Sequence, residues 1–192
     1  MPEHPAQEVW LVRHAETEWS RSGRHTGRTD VPLLDEGRER ARALRGRLAG
    51  ASFALVLVSP LERARETAQL AGLGDPCQVR EDLLEWDYGD YEGVTTPEIR
   101  EQRPDWYLWH DGVPNGETAD EVGARCDRII EEIQLVDGNV AIFAHGHILR
   151  VLAARWVEEP VAFGGRLYLS TGSLCLLGFE REVPVITLWN ET

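Results

Sequence analysis

The sequence predicts an α/β fold, a three-layer sandwich in which a mostly parallel central sheet carries helices on both faces. Three short apolar runs, residues 9–12, 54–58 and 140–144, support this prediction. Each run leads into polar residues and then into a helical pattern, which is typical of buried parallel strands. The length of 192 residues, of which 42% are hydrophobic, favours one domain over residues 1–192.

The residues after the second apolar run predict the start of a helix. Ser59 is a suitable N-cap, Pro60 suits the first helical position, and Glu62 stands where a capping box has its glutamate. Because the helix would begin here, Arg63 is expected in its first turn.

Two further helices and a closing hairpin are expected from the apolar pattern. Thr118 and Glu121 form a capping-box signature ahead of the second of these helices. Residues 174–179 and 183–188 are expected to pair around a turn at 180–182. The apolar stripes are Gly37, Ala41, Leu44 and Leu48 in the first helix, and Val122, Cys126, Ile129, Ile130 and Ile133 in the second.

Composition narrows the class of function. The formal net charge of -13 disfavours nucleic acid and anionic membranes as partners. All twenty basic residues are arginine, which excludes chemistry that needs a Schiff-base or P-loop lysine.

The three cysteines fit neither a disulfide framework nor a zinc pattern. The first apolar run is too short for a signal peptide or membrane span. A cytoplasmic enzyme is therefore expected, with a homodimer as the default assembly.

Basic residues follow the apolar runs at the point where each strand would end. Arg13 and His14 close the first run, Arg63 follows the second, and His145 and His147 follow the third. The carboxyl ends of parallel strands form the ligand-binding edge of an open α/β sheet. Guanidinium groups pair with phosphate oxygens, and a neutral imidazole can attack phosphorus. The pattern indicates a phosphoryl-transfer site that binds a small phosphorylated metabolite without a cofactor.

Several segments together resemble the histidine phosphatase superfamily, also called phosphoglycerate mutase-like. The first is Leu11-Val12-Arg13-His14-Ala15-Glu16-Thr17, and the matching segments span residues 11–150. The others are Thr26-Gly27 with Asp30 and Pro32-Leu33, then Ser59-Pro60-Leu61-Glu62-Arg63-Ala64 with Thr67-Ala68, and finally Ala144-His145-Gly146-His147. The resemblance implies the phosphoglycerate mutase-like fold.

The resemblance also implies roles for individual residues. His14 would be the phosphorylated nucleophile, and Arg13, Arg63 and His145 would complete the phosphate pocket. Glu85 would be the proton donor that a poor alkoxide leaving group requires, with Asp87 as its competitor. The expected substrate contacts are Ser20, Thr26, Gly27, Tyr88 and His147.

Two positions depart from the family pattern. Ala15 replaces the usual glycine after the nucleophile, a change of one methyl group that is expected to leave catalysis intact. Ser20 stands where many members have asparagine, so the sequence does not determine whether the substrate hydrogen bond at this position is kept.

The resemblance is strongest to two phosphatase subgroups, the bacterial acid phosphatases and the sedoheptulose-1,7-bisphosphatase type. The arginine- and proline-rich segment that mutases carry after the acid motif is absent from residues 106–118. A phosphoglycerate mutase and a catalytically silent phosphate-binding protein stay as alternatives, and the physiological substrate stays open.

Six aromatic residues could form a wall of the substrate site or pack in the core. They are Trp86, Tyr88, Tyr91, Trp106, Tyr107 and Trp109.

The remaining histidines suggest weaker possibilities. His145 and His147, helped by Glu85 or Asp87, are a poor metal signal because no third clear ligand accompanies them. His25 is a loop residue that could touch substrate, and His110 is expected to be a polar loop residue. His4 is expected to be disordered.

Overall fold

The computed structural model describes residues 7–192, so the prediction for His4 falls outside the described residues. The strands are β1 (Val9–Arg13), β2 (Phe53–Val58), β3 (Gln78–Val79), β4 (Asn139–Ala144), β5 (Leu174–Glu180) and β6 (Val183–Glu191). The helices are α1 (Glu18–Ser22), α2 (Asp35–Leu48), α3 (Glu62–Leu70), α4 (Thr96–Gln102), α5 (Leu108–Asp111), α6 (Ala119–Ile133) and α7 (Gly146–Trp156), with short 3-10 segments at Glu81–Leu83, Gly89–Tyr91 and Val161–Arg166.

The described strands form a six-stranded sheet in the order β3-β2-β4-β1-β5-β6. The pairs β3–β2, β2–β4 and β4–β1 are parallel, while β5 and β6 are antiparallel additions at one edge. The mostly parallel sheet is thus confirmed, and so is the closing hairpin.

The side chains of the central strands alternate between two hydrophobic clusters, which gives the three layers. In β4, Val140, Ile142 and Ala144 pack in the cluster that contains residues of α6 and α7. Ala141 and Phe143 pack in the cluster that contains residues of α2 and α3. Both faces of β4 are fully buried, which explains why its sequence is continuously apolar.

Two predicted helix starts have different outcomes. Thr118 caps α6 in a capping box with Glu121, and the predicted apolar stripe of that helix is buried except for the half-buried Ile130. The predicted N-cap at Ser59 is wrong, because α3 begins at Glu62 after Leu61. Ser59 still continues the strand, with its amide bonded to the carbonyl of Phe143. Arg63 does lie in the first turn of α3.

Candidate active site

The carboxyl ends of β1, β2 and β4 meet at one edge of the sheet. Arg13 is paired with Ala144, and Val58 with Phe143, so the next residue in each strand reaches the same level. The amide of His14 donates to the carbonyl of Ala144 at 2.9 Å. This register brings His14 and His145 together, with their ring centroids 5.2 Å apart.

His14 is buried, and within residues 7–192 its Nε2, unlike its Nδ1, has no hydrogen-bond partner. Its Nδ1 donates to the backbone carbonyl of Ala15 at 2.7 Å, so in the neutral ring the lone pair is on Nε2. Burial lowers the pKa of His14 well below its ordinary value, and the positive charges of Arg63 and Arg13 lower it further. The imidazole is therefore neutral and able to act as a nucleophile.

Arg13 lines the same cavity as His14, a polar depression of about 270 Å³. One Nη1 donor of Arg13 binds the carbonyl of Leu169 at 2.5 Å. Its Nε is buried without a hydrogen-bond partner among the described residues. A buried donor of this kind is costly unless a ligand satisfies it. The guanidinium thus has donor capacity for an anion beside His14.

His145 lies fully buried behind His14 with both ring nitrogens in hydrogen bonds. Arg63 Nε donates to its Nδ1 at 3.1 Å, so Nε2 carries the proton of the neutral ring and donates to Ser59 Oγ at 2.7 Å. Burial, followed by the charge of Arg63, lowers the pKa of His145 well below its ordinary value. The tautomer is therefore fixed with a donor at Nε2.

Arg63 is also fully buried, and most of its donors bind protein atoms. Its Nη atoms donate to the carbonyls of Thr26, Gly27 and Thr29 at 2.8–3.1 Å. The structure thus places Arg63 between His145 and the loop at residues 26–29, outside the lining of the 270 Å³ cavity. Its role as a direct phosphate ligand stays a prediction, whereas its contacts fix both His145 and the loop.

Glu85 lines the cavity and accepts three backbone hydrogen bonds. Its Oε1 accepts from the amides of Trp86 and Ile148, and its Oε2 accepts from the amide of His147, each at 2.9 Å. Two of these donors belong to the first turn of α7, so the carboxylate also benefits from the helix dipole. Asp87, its predicted competitor, instead binds the amide of Gly89 and does not line the cavity.

The predicted substrate contacts do not all reach the cavity. Ser20 and Thr26 line it, although the Ser20 hydroxyl also completes the cap of α1 by donating to the carbonyl of Thr17. Gly27 lies outside the lining, and its amide donates to both carboxylate oxygens of Glu92. A Cβ at Gly27 would lie 2.6 Å from the Glu92 carboxylate and 2.7 Å from the Trp86 carbonyl. Glycine is therefore required there for packing.

Tyr88 and His147 line the cavity and lie within hydrogen-bond distance, with 2.6 Å between the Tyr88 hydroxyl and His147 Nδ1. Burial raises the pKa of Tyr88 well above its ordinary value, with a smaller effect from Glu85. Burial lowers the pKa of His147 well below its ordinary value, with a smaller effect from Arg150. Both groups are thus uncharged near neutral pH.

The predicted aromatic residues lie in the core and along the cavities. Trp86 is fully buried, and Tyr91 packs edge-on against Trp106. Trp106, Tyr107 and Trp109 line a second cavity of about 220 Å³, which shares His25, Thr96, His147 and Arg150 with the first. Trp106 and Trp109 are also buried members of the core, so core packing is confirmed for them and for Trp86, whereas a substrate wall stays a prediction.

Sequence reasoning missed Arg24, Thr96 and Arg150, which also line the cavity. Arg150 is held over the Trp109 ring, 4.7 Å from its centroid, while its Nε donates to the carbonyl of Gly164. Its position three residues after His147 on α7 was the signal, because residues three apart share a helix face. Arg24 and Thr96 belong to loops and helix ends without a comparable pattern.

Metal ligation by His145 and His147 finds no geometric support. Among residues 7–192, no group of three or more His, Cys, Asp or Glu side chains is arranged to hold a metal ion. Separately, none of the helices within that range has both the length and the apolar composition needed to cross a membrane.

Two known proteins whose sequences are similar to this chain are phosphatases. The chain is 44% identical over 178 residues to an acid phosphatase of Mycobacterium tuberculosis, covering 90% of this chain and 87% of that protein. It is 38% identical over 179 residues to sedoheptulose 1,7-bisphosphatase of Saccharomyces cerevisiae, covering 76% of this chain and 66% of that protein.

Solved structures give the same result for the fold. An open reading frame product of Mycobacterium tuberculosis superimposes with a TM-score of 0.90 at 41% identity, covering 97% of this chain and 98% of that one. The model of the histidine phosphatase superfamily (branch 1) matches residues 9–192. The chain therefore belongs to the histidine phosphatase superfamily and is a phosphatase of that family.

Proposed function

We propose that this phosphatase hydrolyses small phosphorylated metabolites, sugar phosphates in particular, through a phosphohistidine intermediate on His14. The observation that carries the proposal is the pairing of two free groups in one cavity. His14 Nε2 has an available lone pair, and the buried Nε of Arg13 has no partner among the described residues. A phosphoryl group would satisfy both, since it offers an electrophilic phosphorus and acceptor oxygens.

In the first step His14 Nε2 attacks phosphorus while the ester P–O bond breaks. The departing ester oxygen takes a proton from the carboxyl group of Glu85. Without that proton it would have to leave as an alkoxide, which is a poor leaving group. Arg13 and the Nε2–H of His145 stabilise the equatorial oxygens. His145 lies outside the cavity lining and its Nε2–H is bonded to Ser59 Oγ at 2.7 Å, so this role requires the phosphoryl oxygen to replace Ser59 as the acceptor.

In the second step water attacks the phosphorus of the phosphohistidine and the P–N bond breaks. The proton of the water passes to the Glu85 carboxylate, so that inorganic phosphate leaves and both groups return to their starting state. The lowered pKa of His14 keeps the nucleophile neutral below pH 7 as well as above it. A nucleophile that stays neutral in mild acid supports an acid-phosphatase type of activity.

The shape and lining of the site support a small polar substrate. The two cavities of about 270 and 220 Å³, here called connected because they share four lining residues, offer hydroxyl, imidazole and guanidinium groups from Thr96, His25, His147 and Arg150. Such groups suit the hydroxyls of a sugar phosphate. One relative named above, the sedoheptulose 1,7-bisphosphatase, acts by its name on a substrate of this class. The net charge of -13 further favours a metabolite over nucleic acid.

The test is phosphate release at mildly acidic pH without added metal. The panel contains p-nitrophenyl phosphate, sedoheptulose 1,7-bisphosphate, fructose 1,6-bisphosphate and 3-phosphoglycerate. We expect His14→Ala to lose at least about a thousandfold in kcat, because no covalent intermediate can form. His110→Ala is the matched control, since His110 is an exposed histidine outside both connected cavities.

Two results would contradict the proposal. One is wild-type phosphate release by His14→Ala. The other is efficient conversion of 3-phosphoglycerate to 2-phosphoglycerate with little release of phosphate, which would indicate a mutase.

A further inference from the structure

The segment that carries Glu85 is held by a pair of residues outside the cavity, Glu117 and Arg125, which we name the Glu117–Arg125 clamp. Arg125 lies on α6, and Glu117 directly precedes its N-cap. The two side chains form a bidentate ion pair, with Arg125 Nε to Glu117 Oε1 at 2.8 Å and Nη2 to Oε2 at 2.9 Å. Only 10% of the Arg125 side chain and 17% of the Glu117 side chain is exposed.

The clamp binds the chain on both sides of Glu85. Before Glu85, Arg125 Nη1 donates to the carbonyls of Asp82 and Leu84 at 2.6 and 2.9 Å. After it, Glu117 Oε2 accepts from the amide of Asp87 at 2.9 Å.

The backbone of Glu117 adds two bonds to the same segment. Its carbonyl accepts from the Trp86 indole at 2.9 Å, and its amide donates to the carbonyl of Asp87 at 3.0 Å. The backbone on either side of Glu85 is thus tied to the start of α6.

The opposite end of Glu85 is fixed by a different helix. Its carboxylate binds the amides of His147 and Ile148 in the first turn of α7. The carboxylate is therefore placed over the cavity by two elements, α7 at the side-chain end and the clamp at the backbone end. General acid catalysis needs the donor within hydrogen-bond reach of the leaving oxygen, so a shift of about 1 Å in this backbone costs rate.

We propose that Glu117 and Arg125 are positioning residues that set the proton-donating geometry of Glu85, and so decide how well the enzyme cleaves esters with poor leaving groups. This inference rests on the proposed function of Glu85. Arginine suits the role because its planar fork satisfies a carboxylate and two carbonyls at once, which the single ammonium of lysine cannot do.

The test exploits the leaving group. p-Nitrophenolate leaves readily without a proton, whereas the alkoxide of fructose 1,6-bisphosphate needs one. Values of kcat/KM, which report the steps through departure of the alcohol, are measured on both substrates. For Arg125→Lys and Glu117→Gln we expect a loss of about 10- to 100-fold on the bisphosphate, and less than about threefold on p-nitrophenyl phosphate.

Three further variants accompany these two. Arg128→Gln removes a neighbouring arginine on α6 whose exposed side chain binds the same segment through the half-buried Asp82 carboxylate, and it should leave both values unchanged. Glu85→Gln should show the same selective loss to a greater degree. The double variant Glu85→Gln with Arg125→Lys should lose little more, because both changes affect one interaction.

Three outcomes would overturn the inference. Equal losses on both substrates by Arg125→Lys, in a protein with an unchanged thermal midpoint, would show that the clamp does not act through proton donation. Unchanged values on both substrates would show that it does not act at all. A Glu85→Gln variant without leaving-group selectivity would remove the donor on which the inference depends. The His14→Ala assay tests the phosphatase proposal separately, so the two failures are distinguishable.

Discussion

His145 has a hydrogen bond at each ring nitrogen. Its Nδ1 accepts from Arg63 Nε, and its Nε2–H donates to Ser59 Oγ. Ser59 is fully buried, and its hydroxyl oxygen accepts from His145 Nε2 at 2.7 Å and from the Leu61 amide at 3.4 Å. We expect Ser59 to act as a placeholder acceptor, which satisfies the Nε2–H while no phosphoryl oxygen is present.

Replacement of Ser59 by alanine tests this role. The variant leaves a buried N–H without its acceptor, so the free energy of unfolding should fall by about 1–3 kcal/mol in the absence of ligand. Inorganic phosphate should stabilise Ser59→Ala more than the wild type, because the bound oxygen replaces the lost acceptor. Urea unfolding with and without phosphate measures both effects.

Ser173→Ala is the matched control for this experiment. Ser173 is equally buried, but its hydroxyl donates to the carbonyl of Ser170 and not to a catalytic group. It should lose stability without any added benefit from phosphate. An equal phosphate effect in the two variants would contradict the placeholder role.

At the scale of the elements, the sequence predicted helices that have a long apolar pattern, and it missed the shortest helices and the shortest strand. The stripe of α6 covers 15 residues, and the periodic signal identified it. Helices α1 and α5, with 5 and 4 residues, are too short to show a helical period. The 2-residue strand β3 exists only through pairing with β2. The prediction for Ser59 is wrong although its hydroxyl does accept from the Leu61 amide at 3.4 Å, because the helix begins only at Glu62.

The cap of α6 provides a prediction at this scale. The Thr118 hydroxyl accepts from the amide of Glu121 at 3.2 Å and lies 2.8 Å from the Glu121 carboxylate, to which it donates. Thr118→Ala should lower the free energy of unfolding by about 1 kcal/mol, a typical loss for a cap. Thr118→Ser keeps the hydroxyl and should stay within about 0.5 kcal/mol of the wild type. Equal losses for both variants in urea unfolding would attribute the effect to the threonine methyl group instead.

For the whole molecule, the sheet edge explains how much of the site could be predicted. Arg13, His14 and His145 follow strands directly, so fold class and strand ends suffice to bring them together. Glu85 came only from the family resemblance, because it lies in a segment fixed by α6 and α7. The Arg63 side chain is held beside His145 by three loop carbonyls, and no sequence pattern predicts these contacts. The prediction of one domain over residues 1–192 stays a prediction.

Four histidines, of which His14 and His145 are buried and His25 and His147 are half-buried, are expected to make the stability of the fold depend on pH. Burial lowers the pKa of His25 to about 4, and the pKa values of His14, His145 and His147 lie well below the ordinary value of 6.5. In the unfolded chain these rings take up protons below about pH 6.5, while the folded protein does not. The stability from these groups is therefore complete above pH 6.5 and is lost as the pH falls toward the folded pKa values.

Urea unfolding at pH 7.5, 6.5 and 5.5 tests this dependence before most carboxylates titrate. The free energy of unfolding should fall below pH 6.5, with each of the four histidines contributing up to about 1.4 kcal/mol per pH unit. His25→Gln should reduce that slope, because His25 is held among the rings of Tyr88 and Trp106. His110→Gln, an exchange at an exposed histidine, should leave the slope unchanged. A wild-type stability that stays constant between pH 7.5 and 5.5 would mean that the folded state also binds these protons, and that the nucleophile is not kept neutral by its surroundings.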